Sequence, residues 1–80
     1  MTTPAKADQL VDARGLACPM PIVKARLALK RVEVGQTVEV WASWPNSVPD
    51  FQAFAKETGH TLLEQQEEGG VYKHRLQRGR

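Results

Sequence analysis

A single cysteine, Cys18, is present in the 80-residue chain. That excludes an internal disulfide, a CxxC dithiol and a cysteine-rich zinc knuckle. The core has to hold without covalent or metal staples, which fits a reducing cytosol. Aromatic residues are scarce too: two Trp, two Phe and one Tyr, 6% of the chain. They form no platform on which bases would stack, and direct nucleic-acid binding is not expected. No apolar run approaches the length of a membrane-spanning helix. Residues 1–8 lack the apolar core of a signal peptide, so the expected location is cytoplasmic, with no membrane partner. Neither sign of charge dominates: 11 Lys and Arg face 9 Asp and Glu, a net charge of +2. Such a balance permits an acidic partner without arguing for one. A chain this short should bury roughly 60–65% of its unfolded surface. That is one small core, and it leaves no room for a separate nucleotide-binding domain.

What is there reads as one α/β domain over residues 9–78, behind a flexible N-terminal tail over 1–8. Gln9 to Ala13 is a short strand. Ile22, Ala25, Leu29 and Val32 then recur at helical spacing and give one apolar stripe, and the helix should stop near Val34-Gly35. Gln36 to Ala42 alternates as a strand, with Val38, Val40 and Ala42 on one face. A turn-rich stretch, Ser43 to Ser47, precedes a second helix from about Val48 to Thr58, buried through Val48, Phe51, Phe54 and Ala55. Gly59 is its stop signal. Thr61 to Gln65 and Val71 to Gln77 are two further strands joined by a hairpin turn at Glu67-Glu68-Gly69-Gly70. In the last strand Tyr72, His74 and Leu76 share one face. The order is βαβαββ. Two helices on one face of a four-stranded mixed sheet, a two-layer sandwich, is the economical way to bury both helical stripes.

In that arrangement Cys18 falls between the first strand and its helix, at the carboxyl end of a strand, where chemistry collects in sheets of this kind. Proline is favoured at the first helical position, which makes Pro19 the expected first residue and Cys18 the N-cap. A sulfur there meets the positive end of the helix dipole, and its pKa should fall moderately. Pro19 and Pro21 have no N–H, so Met20 N–H is the expected donor to the sulfur. Arg14, in the preceding connection, is a candidate stabiliser of the thiolate. Position alone leaves two readings of Cys18: a presented nucleophile, or a small buried hydrophobe. A Cys-His hydrolase is a rival chemistry, but His60 and His74 both come late in the chain and nothing places either beside the thiol. A lone cysteine attacks a disulfide, a persulfide or an electrophile, and any sulfur it gains must leave to another molecule.

The run Asp12-Ala13-Arg14-Gly15-Leu16-Ala17-Cys18-Pro19-Met20-Pro21, continuing to Arg26 and Leu29, resembles the signature of the TusA/SirA-like family of small sulfur carriers, with its CPxP motif. The resemblance spans residues 9 to 78. It implies the same βαβαββ sandwich and a cysteine, here Cys18, that carries sulfur as a persulfide. Pro19, Met20, Pro21, Arg14 and Gly15 would support it. The implied role is a relay in which the protein acts as a co-substrate. A cysteine desulfurase or rhodanese-type enzyme donates, and an acceptor protein takes the sulfur onward to tRNA thiolation, molybdenum-cofactor metabolism or sulfur oxidation. No cofactor or metal is implied. Lys24 and Arg26, on the first helix, would steer an acidic partner. The chain departs from the usual pattern at three places. Trp44 stands before Pro45 where the family usually has an acidic residue, Pro49 precedes Asp50 where a basic residue is usual, and Ala55 replaces a frequent second cysteine. Trp44 should share an edge with Cys18 and alter the docking surface. The alternative reading is a non-catalytic regulatory or protein-interaction module of the same fold.

Overall fold

The structure, a computed structural model, describes residues 8–80. The tail expected over 1–8 lies outside the described residues except for Asp8. Asp8 is fastened to the sheet: its N–H donates to the Thr37 carbonyl at 3.0 Å and its carboxylate accepts from Thr37 N–H at 2.8 Å. The elements are β1 (Gln9–Ala13), α1 (Met20–Arg31), β2 (Thr37–Ala42), α2 (Ser47–Thr58), β3 (Thr61–Glu68) and β4 (Val71–Gln77).

The four strands form one sheet in the order β1-β2-β4-β3. β1 and β2 run parallel, with Ala13 opposite Ala42, and both other pairings are antiparallel. A parallel pair needs a crossover, and α1 supplies it. Both helices lie on one face. Ala25, Ala28 and Leu29 of α1 and Phe51, Phe54 and Ala55 of α2 close over Val38, Val40 and Leu76 of the sheet. The inward residues of β2 are the alternating Val38, Val40 and Ala42, as period-2 patterning requires. Two boundaries differ from the sequence reading by more than one residue. The first helix ends at Arg31, with Val32 at its C-cap in an extended conformation, so it stops short of Val34-Gly35. The third strand runs on to Glu68, leaving Gly69-Gly70 alone as the turn, with φ of 60° and 84°. Positive φ at both central residues is what a two-residue hairpin of matching twist demands.

β3 carries a register shift at Leu63, between the pairs Leu62–Leu76 and Glu64–Arg75. The inserted residue reverses the phase of the strand. Leu62 packs against the core, Leu63 is left half exposed, and Gln65 now shares the inner face with His74. That phase change builds a buried polar cluster. His74 is fully buried and stacks on Phe51 with ring centroids 4.4 Å apart. Its Nδ1 accepts from Gln65 Nε2 at 3.1 Å, which leaves the ring proton on Nε2 to donate to Ser47 Oγ at 2.8 Å. Gln65 Nε2 also donates to the Val48 carbonyl, and its Oε1 accepts from Gln52. Each buried polar group is thereby satisfied, the condition for tolerating such a cluster in a core. Burial holds the imidazole neutral, with its pKa pushed down to about 4.

Candidate functional site

The parallel pairing of β1 and β2 sends both strands out of the sheet at the same edge, where the two helices begin. The loops there are joined directly: Gly15 N–H donates to Ser43 Oγ at 2.8 Å. Gly15 has φ 82°, a conformation that suits glycine and folds the chain back toward α1. Cys18 stands on this edge, exposed. Of the two readings left open for the cysteine, burial as a small hydrophobe is therefore overturned. Trp44 lies on the same edge and is exposed as well, as expected from the strand pairing. Met20 adds a third exposed apolar surface beside the thiol.

The local geometry corrects the expected start of the helix. Pro19, not Cys18, occupies the N-cap, and the helix begins at Met20 with Pro21 in its first turn. The Cys18–Pro19 peptide bond is cis. Met20 N–H donates to the Ala17 carbonyl at 2.9 Å, so it is not the donor to the sulfur that the sequence suggested. Val23 N–H donates to the Pro19 carbonyl at 3.0 Å. With Pro19 and Pro21 lacking N–H groups and Met20 committed, the helix end offers the sulfur little.

The expected fall in the thiol pKa is overturned too. The Cys18 pKa is raised, chiefly by its contact with the Asp50 carboxylate, then by partial desolvation and by the negative charge of Asp50. Asp50 lies in the first turn of α2. Loss of the thiol proton would give up that contact and set a second negative charge beside the first. Two effects compete. A helix N-terminus favours an anion only when its N–H groups point at it, and here they do not. A carboxylate facing the thiol disfavours the thiolate directly, and that effect sets the direction.

Arg14 does not attend the sulfur. Its guanidinium makes a two-pronged pair with Asp12, Nε to Oδ1 at 2.8 Å and Nη2 to Oδ2 at 2.7 Å, and lies 5.2 Å from the centre of the Trp41 ring. Lys73 sits against the same ring at 5.0 Å. Arg14 belongs to the open face of the sheet. Lys24 and Arg26 part company as well. Two residues apart on a helix, they point in different directions. Lys24 borders a groove beside β1 with Leu10, Asp12, Leu27 and Arg31, whereas Arg26 leans over the Phe54 ring of α2 at 6.0 Å. Neither histidine serves the thiol: both ring nitrogens of His74 are engaged in the core, and His60 accepts from Gly79 N–H at the far end of the helices. The residue the sequence reading missed as a partner of Cys18 is Asp50. A signal was available: if β1 and β2 are parallel, both helices start at one edge, and an acid in the first turn of α2 faces the thiol.

Among the described residues no cluster of His, Cys, Asp and Glu is placed to hold a metal ion. Nor is any helix long and apolar enough to cross a membrane. The fold and the site together define a class, a small α/β sandwich that presents one thiol just ahead of its first helix, in a Cys-Pro-x-Pro setting. The chain belongs to the family described as sulfurtransferase TusA, whose model matches residues 9–78. It is 46% identical over 74 residues to the putative sulfur carrier protein YrkI of Bacillus subtilis, covering 92% of this chain and 99% of that one. It is 51% identical over 65 residues to the sulfur carrier protein TusA of Allochromatium vinosum, covering 81% of this chain and 86% of that one. The crystal structure of a SirA-like protein from Desulfitobacterium hafniense superposes with a TM-score of 0.78 at 28% identity, over 90% of this chain and 99% of the other. The expected family and the expected two-layer sandwich are thus both found.

Proposed function

We propose that this protein is a sulfur carrier that holds sulfur on Cys18 as a persulfide and relays it between two other proteins. The carrying observation is the exposed, solitary thiol of Cys18 on an edge flanked by exposed Met20 and Trp44. Membership in a family whose relatives bear the name sulfur carrier supports the reading.

The chemistry is sulfur exchange and balances without an oxidant. The Cys18 thiolate attacks the outer sulfur of a donor persulfide, the donor's S–S bond breaks, and the donor leaves as a thiolate that takes up the proton released by Cys18. An acceptor thiolate then attacks the outer sulfur of the Cys18 persulfide, and Cys18 leaves as the thiol it began as. With no second cysteine in the chain, no internal thiol competes for the loaded sulfur. The donor is of the cysteine desulfurase or rhodanese type, and the acceptor that docks decides whether the sulfur serves tRNA thiolation, molybdenum-cofactor metabolism or sulfur oxidation. Pro19 and Pro21 stiffen the chain around the thiol, so little entropy is lost when a partner seats on it. Gly15 shapes the loop behind it, and Met20 and Trp44 offer apolar contact. The raised pKa suits a carrier that rests as a protonated thiol and ionises once a partner supplies a base or a positive charge that offsets Asp50.

The test is intact-mass measurement after incubation with a persulfide donor. A gain of one sulfur, absent in Cys18→Ala and removed by an acceptor thiol, is expected. No adduct under conditions where a control thiol of similar exposure is loaded overturns the carrier reading and leaves an interaction module of the same fold.

A further inference from the structure

The cations of this protein are unevenly partnered. On the open face of the sheet they are matched: Arg14 with Asp12, Lys73 with Glu68, Arg75 with both Glu39 and Glu64. At the end of the molecule away from Cys18, where α1 and α2 finish and β4 leaves the sheet, they are not. Arg26, Lys30, Arg78 and Arg80 line a concavity of about 170 Å³ there together with Leu29 and His60. No Asp or Glu side chain lines it, and among the described residues none of those four cations pairs with one; the only oxygen that Arg78 Nε meets is the main-chain oxygen of Arg80, at 3.0 Å.

The arrangement is held in place. Arg78 is bound through its main chain to Gly35 and Gln36, at 2.8 and 2.9 Å, and its Nη1 donates to the Val32 carbonyl at 2.5 Å. Its Nε donates to the main-chain oxygen of Arg80. Gly79 N–H donates to His60 Nδ1 at 3.0 Å, which puts the imidazole proton on Nε2 and makes the neutral ring a donor. Gly79 passes so close to Gly59 that a Cβ on it would collide with the Gly59 carbonyl, and a Cβ on Gly59 would meet Arg80 Nε at 2.9 Å. Two glycines and a set of hydrogen bonds thus hold like charges together at an electrostatic cost.

We propose that this concavity is a binding site for a tetrahedral oxyanion of the phosphate class, with Arg26, Lys30, Arg78 and Arg80 as its charge partners and His60 as a neutral donor. Guanidinium forks match the spacing of phosphate oxygens, and three of the four cations are arginines. The site lies about one helix length from the thiol, roughly 18 Å for the 12 residues of α1. Its occupant therefore leaves Cys18 accessible. The phosphate is either free or carried as a phosphodiester on a nucleic acid strand.

The His60 ring reports occupancy. Burial, and then the charges of Arg78 and Arg80, hold its pKa below the ordinary value, and a bound anion offsets those charges. The experiment follows the His60 imidazole by NMR in the full chain, with inorganic phosphate in one arm and a short single-stranded RNA in the other, at ionic strength fixed with sodium chloride. A saturable upward shift of the His60 pKa with phosphate assigns the site to the free anion. A shift with RNA alone assigns it to a phosphodiester. Lys30→Gln and Arg80→Gln, both exposed and remote from Cys18, should each weaken binding about tenfold, the value of one charge-assisted hydrogen bond. No shift in either arm, a shift that chloride reproduces, or binding unchanged in both variants overturns the proposal.

Discussion

The carboxylate of Asp50, in the first turn of α2, opposes the ionisation of the Cys18 thiol just ahead of α1. The reactive sulfur and the acid that restrains it come from separate crossovers of the sheet, brought together because β1 and β2 leave it at the same edge. Removing the charge should release the thiol. Asp50→Asn is expected to lower the Cys18 pKa, because the neighbouring negative charge and its contact with the thiol are both removed. The pH profile of alkylation by iodoacetamide would then move down, with a several-fold faster rate at pH 7. A profile that stays in place or moves upward contradicts the role given to Asp50.

Arg14 provides the matching control. Its guanidinium is committed to Asp12, whose carboxyl it holds down at about 2, mainly through the side-chain hydrogen bonds. Arg14→Ala should therefore leave the alkylation profile of Cys18 in place and change stability little, as for other exposed pairs. A clear rise in the Cys18 pKa in this variant would return Arg14 to the thiol.

Stability should fall on acidification because of His74. Its pKa is about 4 in the folded protein, while the unfolded chain titrates near the ordinary 6.5. The unfolded state therefore binds the proton more readily. The stabilisation is fully present above pH 6.5, declines as the pH falls, and is gone once it drops below about 4. The full difference is about 3 kcal/mol, from 1.36 kcal/mol per pKa unit. Urea denaturation at pH 7.5 and at pH 4.5 measures it, and His74→Gln should flatten the dependence. An unchanged midpoint between the two pH values in the unsubstituted protein would rule out a neutral buried imidazole as the source.

The β3–β4 turn makes a sharper demand on residue type than the helices do. Gly69 and Gly70 both have positive φ, with open space around the missing Cβ atoms, so only the backbone conformation is at issue. Gly69→Asn should be nearly neutral, since asparagine tolerates the left-handed region. Gly70→Val should cost about 1–2 kcal/mol, the penalty of that region for a residue with a Cβ. Thermal or urea unfolding of the two variants gives the comparison, and equal stability of both would mean that the turn has shifted type.

Much of this was legible from local pattern. The alternation of Val38, Val40 and Ala42, the stripe of Ala25 and Leu29, and the stop at Gly59 each reflect a short-range geometric rule, and each element formed over the residues its rule marked, with the first helix ending earlier than expected. The motif around Cys18 was legible for the same reason: its residues are contiguous. The bulge at Leu63 was not. A run such as Thr61-Leu62-Leu63-Glu64-Gln65 has no marker for the residue that will be skipped, and the choice is made by the partner strand, where His74 needs Gln65 on the inner face.

The amino-acid order by itself determined the βαβαββ succession, the single thiol and its place between the first strand and its helix, since these depend only on neighbours along the chain. The tertiary structure alone decided the charge state of that thiol and the company of each arginine. Electrostatic energy depends on distance through space, and Cys18 and Asp50 lie far apart in the chain. Arg14, four residues from the sulfur, found its carboxylate two residues away and turned to the other face of the sheet.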